Sequence, residues 1–120
     1  MKRTTIITAK ILDRYAKLIE QGIKHYEVRS DSLEAIDAIH LVRAETGKSL
    51  GTYEVLHTFH FGRDDDEKVM LLAQTTADQF YKLFPKPELG GPTILWVAEL
   101  GKPVNLEILV SIEKPEAVTK

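Results

Sequence analysis

Hydrophobic residues recur with two different spacings in the first part of this 120-residue chain. Residues 4–9 are rich in β-branched side chains, which predicts a first strand. Across residues 10–21, apolar side chains recur every three or four positions, which predicts a helix with one buried stripe. Gly22 follows at the place where a left-handed residue commonly ends a helix. Residues 25–29 then predict a short strand.

The middle of the chain predicts a β-hairpin followed by two short helices. Residues 36–44 and 51–61 have strand-like patterns and are separated by a turn at Thr46-Gly47-Lys48. The spacing becomes helical between residues 65 and 84. Two segments there, Asp64-x-x-Glu67 and Thr76-x-x-Gln79, are typical of capping boxes that begin helices.

The last part of the chain predicts two more strands. Residues 94–100 are strongly apolar and are bounded by Gly101-Lys102-Pro103, and residues 106–112 alternate between apolar and polar. We expect residues 114–120 to form a frayed tail. Because no repeat or linker interrupts the pattern, the sequence predicts one α+β domain over residues 1–120.

Composition excludes several classes of function. The chain has no cysteine, which rules out disulfides and thiolate metal sites and favours a cytoplasmic location. No apolar run approaches the roughly 20 residues of a membrane span, so we expect no membrane partner. The net charge of −2 is unlike that of proteins that coat duplex nucleic acid, so any nucleic-acid contact must use a local pocket.

Charged and aromatic side chains concentrate at the predicted junction between the first helix and the second strand. Lys24 suits a phosphate or a carbonyl that develops charge, and Arg29 can grip a phosphate or a base edge with two hydrogen bonds. Glu27 can accept from an exocyclic amine, or it can hold the two cations in position. Tyr26 offers a face on which a base can stack. This segment therefore predicts a pocket for one nucleotide.

Strand geometry limits how these side chains meet. On a regular strand His25, Glu27 and Arg29 point one way, whereas Lys24 and Tyr26 point the other. We therefore expect Lys24 to reach the pocket from the loop before the strand. The alternative interpretation is that Glu27 and Arg29 form a surface ion pair on an edge strand, which contributes little to stability.

The histidines and the acidic run give weaker signals. His60 is a secondary candidate for an acid or base, followed by His25. His57 and His60 lie three apart on a predicted strand, so they face opposite sides and do not predict a shared metal. We interpret Asp64-Asp65-Asp66-Glu67 as a solvated loop and helix start. We expect neither a metal nor a cofactor.

The motif Gly22-x-Lys24-x-x-Glu27-x-Arg29, placed after a helix that ends in glycine, resembles the hallmark of ASCH domains. The order of elements also agrees, from the motif strand through the hairpin and the helical pair ending in Phe84-Pro85 to the apolar strand. The resemblance implies a PUA-like fold, a mixed and mostly antiparallel barrel of five or six strands with about three helices. Two departures are a missing Gly-Asp turn around residues 35–38 and an added strand after Pro103.

The resemblance implies RNA or nucleotide binding, with Lys24, Tyr26, Glu27 and Arg29 as the contacts. Other ASCH domains hydrolyse RNA or remove the acetyl group of acetylated cytidine. In that amidohydrolase branch a nucleophilic threonine stands where this chain has Glu27, so this chemistry is disfavoured. The branch also uses a carboxylate on the helical segment. The best alignment gives Ala73 there, and residues 65–67 and Asp78 remain alternatives.

Three hypotheses follow from the residues and the resemblance. The first is a binding module for RNA or a nucleotide-like ligand. The second is a hydrolase of RNA or a modified nucleoside in the same cleft, with Lys24 stabilising charge and His60 as the candidate acid or base. The third is a protein-interaction module that has kept the scaffold and lost the pocket chemistry. The sequence does not indicate the oligomeric state.

Overall fold

The structure is a computed structural model that describes residues 5–104. Its sheet has five strands in the spatial order β1-β3-β4-β5-β2. They are β1 (Ile6–Ile11), β2 (Tyr26–Arg29), β3 (Ala38–Arg43), β4 (Ser49–Gly62) and β5 (Ile94–Val104). β1 and β3 are parallel and the other neighbouring pairs are antiparallel. The curled sheet forms a half-barrel with β1 and β2 at its edges.

Three helices accompany this sheet: α1 (Asp13–Glu20), α2 (Asp66–Ala73) and α3 (Ala77–Leu83). Short 3-10 turns precede α2 and follow α3. The predicted α+β, PUA-like fold is confirmed. The predicted strand over residues 106–112 and the tail at 114–120 lie outside the described residues. Within residues 5–104, no helix has the length and apolar character needed to cross a membrane.

The boundary between β1 and α1 differs from the prediction. β1 continues to Ile11, which pairs with Arg43 of β3. Leu12 is still extended, with φ −67° and ψ 146°, so α1 begins at Asp13 rather than at residue 10. The parallel ladder with β3 therefore overrides the helical spacing of the first apolar residues. The predicted helix end is confirmed, because Gly22 has a φ of +75°.

The two predicted capping boxes have different outcomes. Thr76 is the N-cap of α3, and its hydroxyl accepts a hydrogen bond from the Gln79 amide at 3.4 Å. The capping box at Asp64 is wrong, because α2 begins only after the turn and its N-cap residue, Asp65, makes no side-chain cap bond. The turn delays the helix because Asp66, its first residue, is held by other side chains.

The predicted end of β5 is also wrong. The strand passes through Gly101 and Lys102, and it still pairs Pro103 with Tyr53 and Val104 with Thr52. β4 is long enough to remain its partner, and the register between the two strands shifts in this region. Such irregularities are where a sheet accepts a proline that has no N–H to donate.

Two hydrophobic clusters form the core. In the first, α1 packs on β1, β3 and the second half of β5, with Ala16, Ile39 and Leu41 fully buried. In the second, α2 and α3 pack on β2 and the first half of β5, around Val69 and Phe80. The functional candidates lie where these clusters meet.

Candidate functional site

A cavity of about 240 Å³ lies at the junction of the two hydrophobic clusters. This volume is slightly below the roughly 300–1,000 Å³ of pockets for drug-sized ligands, so the cavity suits a small ligand. Its polar side chains are those of Lys10, Tyr15, Lys24, Glu27, Arg29, Ser30 and Thr75. Its apolar wall is formed by Ile11, Leu12, Val28, Ala73, Phe80, Leu83 and Phe84.

Lys24 is the most deeply buried cation of the motif, with 5% of its surface exposed. It precedes β2, as predicted, and its amide donates to the Leu18 carbonyl at the end of α1. Its ammonium donates to the Ala73 carbonyl at 2.9 Å and lies 5.4 Å from the centre of the Tyr15 ring. Because Ala73 is the last residue of α2, the ammonium binds at the negative end of a helix.

Glu27 and Arg29 reach the cavity from β2. Glu27 is 5% exposed, and its Oε2 accepts a hydrogen bond from Arg29 Nη1 at 3.3 Å. The same Nη1 donates to the backbone carbonyl of Lys10, in β1, at 3.1 Å. Arg29 thus connects the two edge strands of the half-barrel. The interpretation as a surface ion pair is wrong, because the carboxylate is buried although β2 is an edge strand.

Burial shifts the proton equilibria of Lys24 and Glu27 in opposite directions. Desolvation lowers the pKa of Lys24, and the nearby Glu27 carboxylate partly offsets this effect. Desolvation also raises the pKa of Glu27, against the opposing influence of Lys24 and Arg29. A buried acid and a buried base with shifted pKa values in one cavity are typical of functional sites.

The structure does not bring every predicted residue to this cavity. Tyr26 packs against the second hydrophobic cluster, on the other face of β2, and is not among the lining residues. His60 is exposed on β4, with its ring 5.0 Å from that of Trp96. His25 is exposed as well, and the cavity lining does not include it.

Four polar residues of the lining were not predicted: Lys10, Tyr15, Ser30 and Thr75. The Tyr15 hydroxyl is 2.5 Å from the hydroxyl of Thr75, which lies between α2 and α3. Lys10 contributes a third cation from the end of β1. Tyr15 belonged to the buried stripe of the helix, and Lys10 and Thr75 carry no local signal. Their positions follow from the curling of the sheet and the α2–α3 joint.

The acidic run is only partly a solvated loop. Asp66 is buried and is bound by Arg63, whose Nε donates to Oδ1 at 2.8 Å, and by Tyr81, whose hydroxyl donates to Oδ2 at 3.0 Å. It therefore lies outside the cavity lining, as does the exposed Asp78. Within residues 5–104, Glu27 is the one carboxylate that lines the cavity. No group of three potential metal ligands occurs in the same range.

Comparisons with known proteins identify the fold. No protein-family model matches the sequence, and no curated protein matches it. The structure is similar to that of an ASCH protein from Zymomonas mobilis, with a TM-score of 0.62 and 20% identity over 88% of this chain and 76% of that one.

Two variants of the Zymomonas mobilis protein have similar structures. The first, a serine-to-alanine variant, gives a TM-score of 0.65 at 16% identity, over 93% of this chain and 82% of that one. The second, a tyrosine-to-phenylalanine variant, gives a TM-score of 0.61 at 19% identity, over 92% of this chain and 81% of that one. At these identities the similarity concerns the fold. The resemblance seen in the motif is thereby confirmed at that level, and this chain has the fold of an ASCH domain.

Proposed function

We propose that this protein binds a single nucleoside unit, either of RNA or of a free nucleotide, in the cavity between α1, β2 and the α2–α3 joint. The observation that carries the proposal is the convergence of Lys24, Glu27 and Arg29 on one partly open cavity with an apolar wall. Polar groups that fix orientation beside apolar surfaces that accept a ring are the usual composition of a small-molecule site.

Each side of the cavity matches one part of a nucleotide. The apolar wall, in which Phe84 is partly exposed and the buried Phe80 supports it, offers a surface for a base. The buried Lys24 and Glu27 offer a donor and an acceptor to its polar edge. Lys10, which is exposed on the cavity rim, supplies a cation for a phosphate. Tyr26, predicted to stack on the base, is replaced in this proposal by the two phenylalanines.

A titration of short single-stranded RNA of mixed sequence, followed by fluorescence anisotropy, tests this function. We expect Lys24→Ala and Arg29→Ala each to weaken binding by at least about tenfold, the loss expected for a desolvated charged contact. Lys48→Ala and Arg14→Ala are matched controls, since both residues are exposed and neither lines the cavity. Binding by the wild type that neither cavity substitution weakens would contradict the proposal and favour a protein-interaction module.

A second candidate is hydrolysis of RNA or a modified nucleoside in the same cavity. The observation that favours it is a lysine and a glutamate buried side by side in one cavity, where burial lowers the pKa of Lys24 and raises the pKa of Glu27. Lys24 would then stabilise developing negative charge. Incubation with RNA oligomers and with acetylated cytidine distinguishes the two functions. Turnover that Lys24→Ala abolishes favours the hydrolase, whereas binding without turnover favours the module.

A further inference from the structure

We infer that the cavity recognises the imide edge of a base, so that among the four bases of RNA it selects uracil. This inference rests on the proposed function and names the ligand chemistry of that site. It follows from the order in which hydrogen-bond donors and acceptors are arranged across the cavity, and from which of them remain available for a ligand.

The first step is the order of the three polar side chains. The Lys24 ammonium is anchored on the α2 side, by the Ala73 carbonyl. The Arg29 guanidinium is anchored on the opposite side, by the Lys10 carbonyl of β1. Glu27 follows Lys24 and precedes Arg29 along the chain, it lines the same cavity, and it contacts Arg29 at 3.3 Å. The cavity therefore presents a donor, an acceptor and a second donor in sequence.

The second step is the hydrogen-bonding capacity that remains. An ammonium has three donors, and within residues 5–104 Lys24 uses one of them, for the Ala73 carbonyl. Both contacts of Arg29 use Nη1, so Nη2 and Nε can still donate. Arg29 engages Oε2 of Glu27, and no donor to Oε1 is found within residues 5–104. No fully enclosed side-chain nitrogen or oxygen in this range lacks a partner, so Oε1 keeps some exposed surface, and Glu27 is a residue of the cavity lining.

The third step is the complementary edge. A ligand that satisfies this order presents an acceptor, an N–H donor and a second acceptor. Uracil does so along its Watson–Crick edge, with O4, N3–H and O2. Cytosine presents a donor followed by two acceptors, which sets its amine against a cation. Guanine presents an acceptor followed by two donors, which sets its amine against the Arg29 guanidinium. Each mismatch leaves a buried polar group unpaired, and this is the strongest source of discrimination in a pocket.

Calorimetric titrations with four 5′-monophosphates test the inference, because they share the phosphate and differ at the base edge. They are UMP, CMP, GMP and 3-methyl-UMP, which lacks the N3–H donor. We expect UMP to bind at least about tenfold more tightly than the other three. In Glu27→Gln we expect the preference for UMP over CMP to fall severalfold, because an amide can turn either a donor or an acceptor to the base. Glu34→Gln is the control, since Glu34 is exposed and lies outside the cavity lining.

The outcomes separate this inference from the proposed function. Equal affinity for UMP and 3-methyl-UMP, or for UMP and CMP, would overturn the inferred recognition of the imide edge and leave the proposal of nucleotide binding intact. An unchanged preference in Glu27→Gln would also overturn it, since Glu27 is the acceptor that this recognition requires. If none of the four nucleotides and no RNA binds, the proposed function fails and the inference fails with it.

Discussion

Two clusters of buried and half-buried charged residues can be compared within residues 5–104, and they differ in how completely their hydrogen-bonding groups are paired. In the closed cluster, formed by Arg63, Asp66 and Tyr81, all five N–H groups of Arg63 have partners. Two of the bonds go to Asp66, and three go to the carbonyls of Phe84, Pro85 and Pro92.

The open cluster, formed by Lys24, Glu27 and Arg29, is less completely satisfied. Among the residues that the structure describes, its cations have donors without a partner, its carboxylate has one oxygen without a donor, and all three side chains line a cavity. The comparison shows that burial of charge does not by itself indicate a functional site. A buried charge with unused hydrogen-bonding capacity beside an open volume is the stronger indication.

The largest expected loss of stability comes from a substitution that breaks the closed cluster. Arg63→Met leaves the Asp66 carboxylate buried without its cation, and it frees three carbonyls. Breaking a buried ion pair from one side costs about 3–5 kcal/mol, which we expect as the loss in unfolding free energy by urea denaturation. Arg14→Met, at an exposed residue, is the control and should change stability by less than about 0.5 kcal/mol. A loss for Arg63→Met no larger than that of the control would show that the cluster is not structural.

A smaller stability loss is expected in the open cluster. Lys24→Met removes the donor to the Ala73 carbonyl at the end of α2, and an unsatisfied buried carbonyl costs about 1–3 kcal/mol. The same variant should lose nucleotide binding, whereas Lys48→Met should retain both properties. Urea denaturation and anisotropy measure the two effects. A stability loss as large as that of Arg63→Met, with binding retained, would show that Lys24 stabilises the fold, as Arg63 does, and does not bind the nucleotide.

The pH dependence of stability gives a further test of the open cluster, through its carboxylate Glu27. Its pKa is raised by burial above the ordinary 4.5, so in the window above 4.5 the folded state binds more protons than the unfolded state. The stability contributed by the protonated acid is complete below pH 4.5 and is lost as the pH rises through the raised pKa. We therefore expect the wild type to lose stability across this window relative to Glu27→Gln. Parallel stability curves for the two proteins, measured from pH 4 upward, would refute this expectation.

The smallest expected effect lies outside both clusters. Ala35 is exposed and has a φ of +63°, in the turn where the resemblance led us to expect glycine. A left-handed conformation costs a non-glycine residue roughly 1–2 kcal/mol, and glycine removes this strain. Glycine also has more conformational freedom in the unfolded chain, which lowers the stability of the variant by about 0.5–1 kcal/mol. Ala35→Gly should therefore stabilise the protein by about 0.5–1 kcal/mol in thermal or urea unfolding. Nucleotide binding should not change, and a net destabilisation would contradict the interpretation of strain.

Local sequence signals predicted the parts of the fold and site that depend on neighbouring residues. Gly22 marked the helix end, and the position of Lys24 before the strand followed from strand alternation. Arg63 could not be recognised in this way, because three of its partners are carbonyls 21–29 residues away. Tyr15 was read as one member of a buried stripe. Its hydroxyl became relevant only when tertiary packing brought it to Thr75, 60 residues later.

The bond from Arg29 to the Lys10 carbonyl has a consequence for how this barrel is put together. Within residues 5–104, β1 and β2 share no ladder of backbone hydrogen bonds, and a guanidinium spans the gap between them instead. The cavity is lined by residues of both strands, Lys10 and Ile11 from β1 and Glu27, Val28 and Arg29 from β2. A ladder of backbone hydrogen bonds between β1 and β2 would bring the two strands to a separation of roughly 4.8 Å and close the cavity. The lack of a ladder between the described parts of β1 and β2 therefore leaves space for the cavity, and the Arg29 guanidinium bridges it through the Lys10 carbonyl.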